Sequence, residues 1–323
     1  MTGTNMDDAT TTLHTLLDRG LALHPEYGGG LANHLPMVLH ALCALGADAQ
    51  RLREWDGRHR GRLQPRAADA ASDAFEARHT SMAAALARDG RDAVLRRELP
   101  GLMGGVAASA FHGLIRTAHA AATGHDGELV MGLAFWSHRH LPLLAAQEPS
   151  SGKLPLTRWL AELQALRAER EVGGRLITGR MRAWAAEPSF AAIAPRLRLD
   201  RDTLGELADA AARLYASSGD FTVLHMVTAC HALLTLRRWL DEPPAALHSF
   251  CVAAAAALCA SQSRRSAAPA ARPWSQIVPL ALAGEDEHVV KLTYAARGLE
   301  QAFGGEAFGA AATRATMSSE VTT

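Results

Sequence analysis

Apolar residues along this chain recur every three to four positions, and Ala and Leu supply most of them. That spacing marks helices that bury one face, and both residues favour helix. No strictly alternating apolar/polar run exceeds about four residues, so no β-sheet is predicted. Helices are predicted near 6–24, 33–54, 67–89, 101–123, 126–146, 155–171, 175–187, 202–217, 219–240, 244–262, 274–283 and 286–302. Between them fall interruptions: Pro25 with Gly28 to Gly30, Gly124 to Gly127, Pro149 to Gly152, Gly173 and Gly174, Pro188, Pro195, Gly219, Pro243 and Pro244, Ala267 to Pro273, and Gly284. The connections are short and no polar linker divides the chain. The pattern predicts an all-α fold, one domain of about a dozen helices spanning 1–303 around a central site. The Ala/Thr/Ser-rich residues 304–323 are expected to form a flexible tail.

Composition narrows the function classes. With 323 residues at 48 % hydrophobic content, the chain can bury a sizeable core. Its net charge of zero argues against nucleic acid or an anionic membrane as partner. The most apolar run, Leu247 to Ala260, includes His248 and Ser249 and is too short to span a bilayer. The polar N-terminus makes a poor signal peptide. The four cysteines have no CxxC spacing and read as buried thiols in a reducing compartment, so a cytoplasmic protein is expected. No GxGxxG follows a strand and there is no Walker A loop, which argues against a bound flavin or nicotinamide of the Rossmann kind.

Lysine usage changes the picture. Of 33 basic residues only Lys153 and Lys291 are lysine. Lysine, unlike arginine, can lose its proton and be covalently modified. Lys291 follows His288 by three residues, which puts both on one helix face. Asp286 can cap that helix, and an anion is favoured over a cation in its first turns. A lysine that has reacted with carbon dioxide carries an anionic carbamate, and burial favours the neutral amine this needs. The plainer alternative is a lysine that reaches solvent or pairs with Glu287.

Fifteen histidines accompany it, four of which open or line apolar helices: His34, His112, His225 and His288. Several imidazoles with one oxygen ligand suit Fe(II), Mn(II) or Zn(II). Plainer readings are a capping-region histidine for His34 and a hydrogen-bonded core histidine for His112. His231 lies about 120° round the helix from His225 and reads as a supporting or packing residue. His14, His24, His40, His59, His79, His119, His125 and His248 read as surface or helix-end residues. Asn33 and Thr228 are candidates to hydrogen-bond the ligands. Arg116 is a candidate to pair a substrate phenolate or carboxylate, or else a structural carboxylate. Phe111, Phe135, Trp136, Met226 and Tyr294 are candidates for a flat apolar pocket.

Five segments in order carry a family resemblance: His24-Pro-Glu-Tyr-Gly28, Asn33-His-Leu-Pro-Met37, Phe111-His-Gly-Leu-Ile115, Asp220-Phe-Thr-Val-Leu-His225 with Thr228, and Asp286-Glu-His-Val-Val-Lys-Leu292. Together they resemble the questin oxidase-like family. The resemblance implies a helical oxygenase that cleaves a C–C bond of an aromatic polyketide such as an anthraquinone, in a Baeyer–Villiger-like or dioxygenase-like ring opening. It implies mononuclear non-haem Fe(II) held by four histidines and a carboxylated lysine, here His34, His112, His225, His288 and Lys291. Molecular oxygen would be co-substrate, without bound flavin, and NADPH is the candidate external reductant. The partner is then a small aromatic molecule. Two departures stand out: Arg116 replaces a histidine that fungal members tend to carry, and His231 usually has no counterpart there. Two other classes remain open. A metallohydrolase with a carboxylated lysine would contain zinc or two metals and turn over without oxygen. A non-catalytic helical module would carry no stoichiometric metal.

Overall fold

The computed structural model describes residues 2–66, 74–144, 152–240, 243–262, 264 and 266–320. It is all-α as predicted, with sixteen α-helices among the described residues. In order these are α1 (Thr2–Gly20), α2 (Leu35–Leu45), α3 (Ala49–His59), α4 (Ala74–Asp89), α5 (Arg91–Met103), α6 (His112–Thr123), α7 (Asp126–His138), α8 (Leu156–Glu169), α9 (Ile177–Ala185), α10 (Pro188–Ile193), α11 (Thr203–Ser218), α12 (Phe221–Leu236), α13 (Pro243–Ala260), α14 (Trp274–Ala283), α15 (Glu287–Phe303) and α16 (Ala307–Glu320). A two-residue antiparallel pair, β1 (Glu26–Tyr27) and β2 (Leu31–Ala32), closes the loop between α1 and α2.

Four helices make the centre: α2, α6, α12 and α15 pack on one another. Val223, Leu224, Met226, Val227, Ala229, Cys230 and Leu233 are all buried, so α12 is enclosed on most sides. An all-round apolar sequence is what such a position requires. Helix α7 covers α6 at close range. A Cβ on Gly113 would lie 2.7 Å from Trp136, so only glycine lets that indole sit there.

Several predicted boundaries move. The 33–54 segment divides at Gly46, whose φ of 103° ends α2. Asp48 then caps α3 by accepting from the Arg51 amide at 2.8 Å. The 101–123 segment is not one helix. Residues 91–103 form α5, and α6 begins only at His112. Just before it, Ser109, Ala110 and Phe111 have φ of 45°, 54° and 71°. Consecutive left-handed residues with side chains cost about 1 kcal/mol or more each. The C-terminal expectation is overturned. Residues 307–320 form α16, and Phe308, Ala311, Ala312 and Ala315 are buried as it packs on α11 and α15. Those four positions follow the helical i, i+3, i+4, i+7 stripe, which small-residue composition disguised as a loose tail. The start of the predicted 67–89 helix (67–73), the end of 126–146 (145–146) and residues 149–151 of the predicted loop lie outside the described residues. Among the described residues no helix is long and apolar enough to cross a membrane.

Candidate metal centre

The starts of the four central helices converge, and each delivers a histidine. His34 immediately precedes α2, His112 is the first residue of α6, His225 the fifth of α12 and His288 the second of α15. Ring centroids lie 4.7 Å apart for His34 and His112, 4.9 Å for His34 and His288, 4.9 Å for His112 and His225, and 5.7 Å for His225 and His288. Asp286 caps α15 by accepting from the His288 amide at 2.7 Å, as the sequence predicts. Lys291, one turn further on, is buried.

The hydrogen bonds set the ring tautomers. His34 Nδ1 donates to Glu287 Oε1 at 2.8 Å, and Glu287 is itself held by Arg62. His112 Nδ1 donates to the Ser109 carbonyl at 2.5 Å, which the left-handed turn aims at the ring. His225 Nδ1 donates to the Phe221 carbonyl at 2.7 Å. A neutral imidazole with its proton on Nδ1 leaves Nε2 as a bare acceptor. Yet His34 Nε2 and His112 Nε2 face each other at 2.7 Å. Two lone pairs at that distance repel unless a cation lies between them. His288 Nε2 is also buried with no hydrogen-bond partner. Ring nitrogens of His34 and His288 and a carboxylate oxygen of Glu287 lie within 4.8 Å of one another, so this trio alone could hold a metal. Histidine ligands whose other nitrogen is tied to a carboxylate or carbonyl are the usual way a protein orients imidazoles on a metal.

Protonation cannot easily relieve the clash. Burial first, then the positive charge of Lys291 and neighbouring imidazoles, holds His34, His112 and His225 well below the ordinary histidine range. His288 is lowered by the same two causes, opposed by Asp286 and Glu287. Lys291 is brought from 10.5 down to about 7, again by burial, against the opposing pull of Glu287 and Asp286. At neutral pH the site therefore offers unprotonated imidazoles and a substantially neutral amine.

Residues 31–296 match the model of the questin oxidase-like family. The chain belongs to that family. No curated protein matches it as a close relative. The family match spans all four histidines, Glu287 and Lys291, and ends before α16.

The other predicted residues of this family member are used differently. Asn33 donates to the His24 carbonyl at 3.2 Å and accepts from the Leu35 amide at 3.0 Å, so it shapes the entry to α2. The Thr228 hydroxyl donates to the carbonyls of Leu224 and His225 within its own helix. Neither bonds an imidazole. Arg116 is buried and donates two 3.0 Å bonds to Glu128, a structural carboxylate, while its Nη1 has no hydrogen-bond partner. Four of the five pocket candidates pack against other side chains. Phe111, Phe135, Trp136 and Met226 are core residues, Phe111 against Phe250 and Trp136 against Gly113.

Tyr294 belongs to a second polar layer that the sequence reading missed. His40, His119 and His231 surround its ring, with centroids at 5.1, 5.3 and 4.9 Å. Each lies six or seven residues beyond the first histidine of its helix, about 10 Å deeper at the helical rise. His40 and His119, read as surface or helix-end residues, are buried. Their Nδ1 atoms are 2.8 Å apart. Unlike the outer pair, they can be satisfied by a single shared proton, so this contact demands no metal. The deciding signal was a second histidine or tyrosine at i+6 or i+7 on all four helices.

Proposed function

We propose that this chain is a non-haem iron oxygenase that opens a ring of an aromatic polyketide such as an anthraquinone. Membership of the questin oxidase-like family supports an oxidoreductase. The observation that carries the metal is the pair of Nε2 acceptors of His34 and His112 at 2.7 Å, beside the unpartnered Nε2 of His288. In this reading His34, His112, His225, His288 and Lys291 hold the ion. Four imidazoles with a carboxylate-like oxygen suit Fe(II).

Bound iron would supply one-electron chemistry with molecular oxygen. The chain's own residues prepare the site. Glu287, the Ser109 carbonyl and the Phe221 carbonyl hold the Nδ1 protons of three rings, which keeps their Nε2 lone pairs inward. The neutral amine of Lys291 attacks the carbon of carbon dioxide. An N–C bond forms, one C=O π pair moves to oxygen, and the nitrogen gives up a proton to water. The resulting carbamate is anionic and sits where four helix starts converge, a placement their dipoles favour. Burial leaves the charge of this side chain poorly screened.

Elemental analysis of anaerobically purified protein tests the reading, with about one iron per chain expected. Lys291→Arg cannot form the carbamate and puts a permanently charged guanidinium in its place, and should lower iron occupancy. Oxygen uptake with a hydroxylated anthraquinone should match formation of ring-opened product. Protein without stoichiometric metal, or turnover that needs no oxygen, would overturn the proposal.

A further inference from the structure

A cleft of about 610 Å³ opens between α8, α9 and the end of α13. Its wall carries Arg167, Arg170, Arg180 and Arg264 and a single carboxylate, Glu171. Counting Glu187, which lies outside the wall and pairs with Arg170, four guanidinium groups still face only two carboxylates. The whole chain balances 33 basic against 33 acidic residues, so this excess is local. Arg180 is fixed by three bonds. It donates to the Ala260 carbonyl at 3.0 Å, the Gly174 carbonyl at 3.1 Å and the Thr222 hydroxyl at 3.4 Å. That leaves one N–H on each of its two Nη atoms. Gln262, also in the wall, donates its backbone amide to Asp220 at 2.8 Å, and Asp220 caps α12. The cleft is thus tied to the start of α12, the helix that carries His225.

We propose that this cleft binds a ligand through a diphosphate group. Guanidinium groups present forked N–H donors that match phosphate oxygens. Several of them around one concavity suit two linked phosphates better than one carboxylate, which a single arginine would satisfy. Trp184 and Cys259 form part of the wall and are buried, so the anion would meet a floor that screens charge poorly. Trp184 is the one aromatic ring in the wall among the described residues, and its burial denies a flat apolar ligand a stacking surface. The volume exceeds that of the anion itself and lies in the range of about 300–1,000 Å³ that holds small organic ligands. The shared chemistry is the diphosphate, whether free or carried by a nucleoside. The cleft and its arginines make no use of the metal centre.

Titration calorimetry of the full chain with inorganic diphosphate, orthophosphate and adenosine diphosphate tests this. Diphosphate should bind with a Kd of about 1 mM or less, at least about tenfold tighter than orthophosphate. Its affinity should fall as salt is added. Adenosine diphosphate binding more tightly than the free anion would identify a nucleoside diphosphate as the source; equal or weaker binding would identify the free anion. Arg167→Gln and Arg264→Gln should each weaken diphosphate about tenfold. Arg158→Gln, which removes a surface guanidinium outside the cleft wall, should leave binding unchanged. Affinity should be the same in as-purified and chelator-treated protein. Loss of binding on chelation would place the anion on a metal and overturn the cleft. Wild-type affinity in both cleft variants, or equal affinity for orthophosphate and diphosphate, would also overturn it. Where circular dichroism shows that a cleft variant fails to fold, the wild-type ratio of diphosphate to orthophosphate affinity decides alone.

Discussion

Lys291→Met should make the metal-free protein more stable, and by an amount that depends on pH in a defined way. In the native state burial brings the amine to about 7, against 10.5 for an exposed lysine. Between those two values the unfolded chain holds a proton that the native chain has shed. Stability therefore rises with pH across this window, by up to about 1.4 kcal/mol per unit. Below pH 7 both states are protonated and the burden is at its full size, about 5 kcal/mol. The side chain is 2 % exposed, so solvent screening takes little from that figure. Methionine has similar length, no charge and enough flexibility to fill the space. The variant should exceed wild type by about 5 kcal/mol at pH 6, about 4 at pH 7 and about 1 at pH 10. Urea unfolding of chelator-treated protein in buffers free of carbon dioxide measures this, since carbamate or metal would mask it. The same substitution should lower iron occupancy. A constant stability difference between pH 6 and pH 10, or a variant less stable than wild type at pH 6, would refute the buried neutral amine.

Glu287→Gln should reduce metal affinity about 10- to 100-fold by loosening the His34 ring, read by competition with a coloured chelator. Glu128→Gln leaves the Arg116 guanidinium buried without a full counter-charge, and urea unfolding should show a loss of about 3 kcal/mol. Gly298→Ala drives a methyl group into His231 on the facing helix, which should cost about 1–3 kcal/mol and shift the His231 ring signals in NMR spectra. Ala110→Val places a β-branched residue at φ 54°, and should lower both the melting temperature and the metal affinity because the same turn aims the Ser109 carbonyl at His112.

The caps at Asp48 and Asp286 act locally, within a turn or two, though only Asp286 was picked out in the sequence, where 33–54 was expected to be one helix. The caps follow from an acidic side chain beside free amides. Gly113 does not, because the reason for it is Trp136, more than twenty residues away. The same division separates right from wrong among the site residues. His288 and Lys291 share a face by helical geometry alone, and the structure keeps them there. Arg116 looked available because nothing nearby in sequence opposes its charge, whereas Glu128 on the next helix does. The aromatic residues predicted to line a pocket are apolar, and apolarity cannot distinguish a pocket wall from a packed core. Phe221, which does face solvent, escaped notice for the same reason.

Periodicity, breakers and caps thus determine by themselves that this chain is helical and where most of its helices lie, since those signals act over about one helical turn. The ordered motifs pick out four histidines and one lysine. Tertiary structure alone decides that four helix starts meet, that two imidazole lone pairs are forced together at 2.7 Å, and that a second layer of His40, His119, His231 and Tyr294 lies beneath. Those facts depend on helix register across contacts between residues far apart in the chain. Such registers are set by the packing of side chains on α2, α6, α12 and α15 together, and no local stretch of sequence contains them.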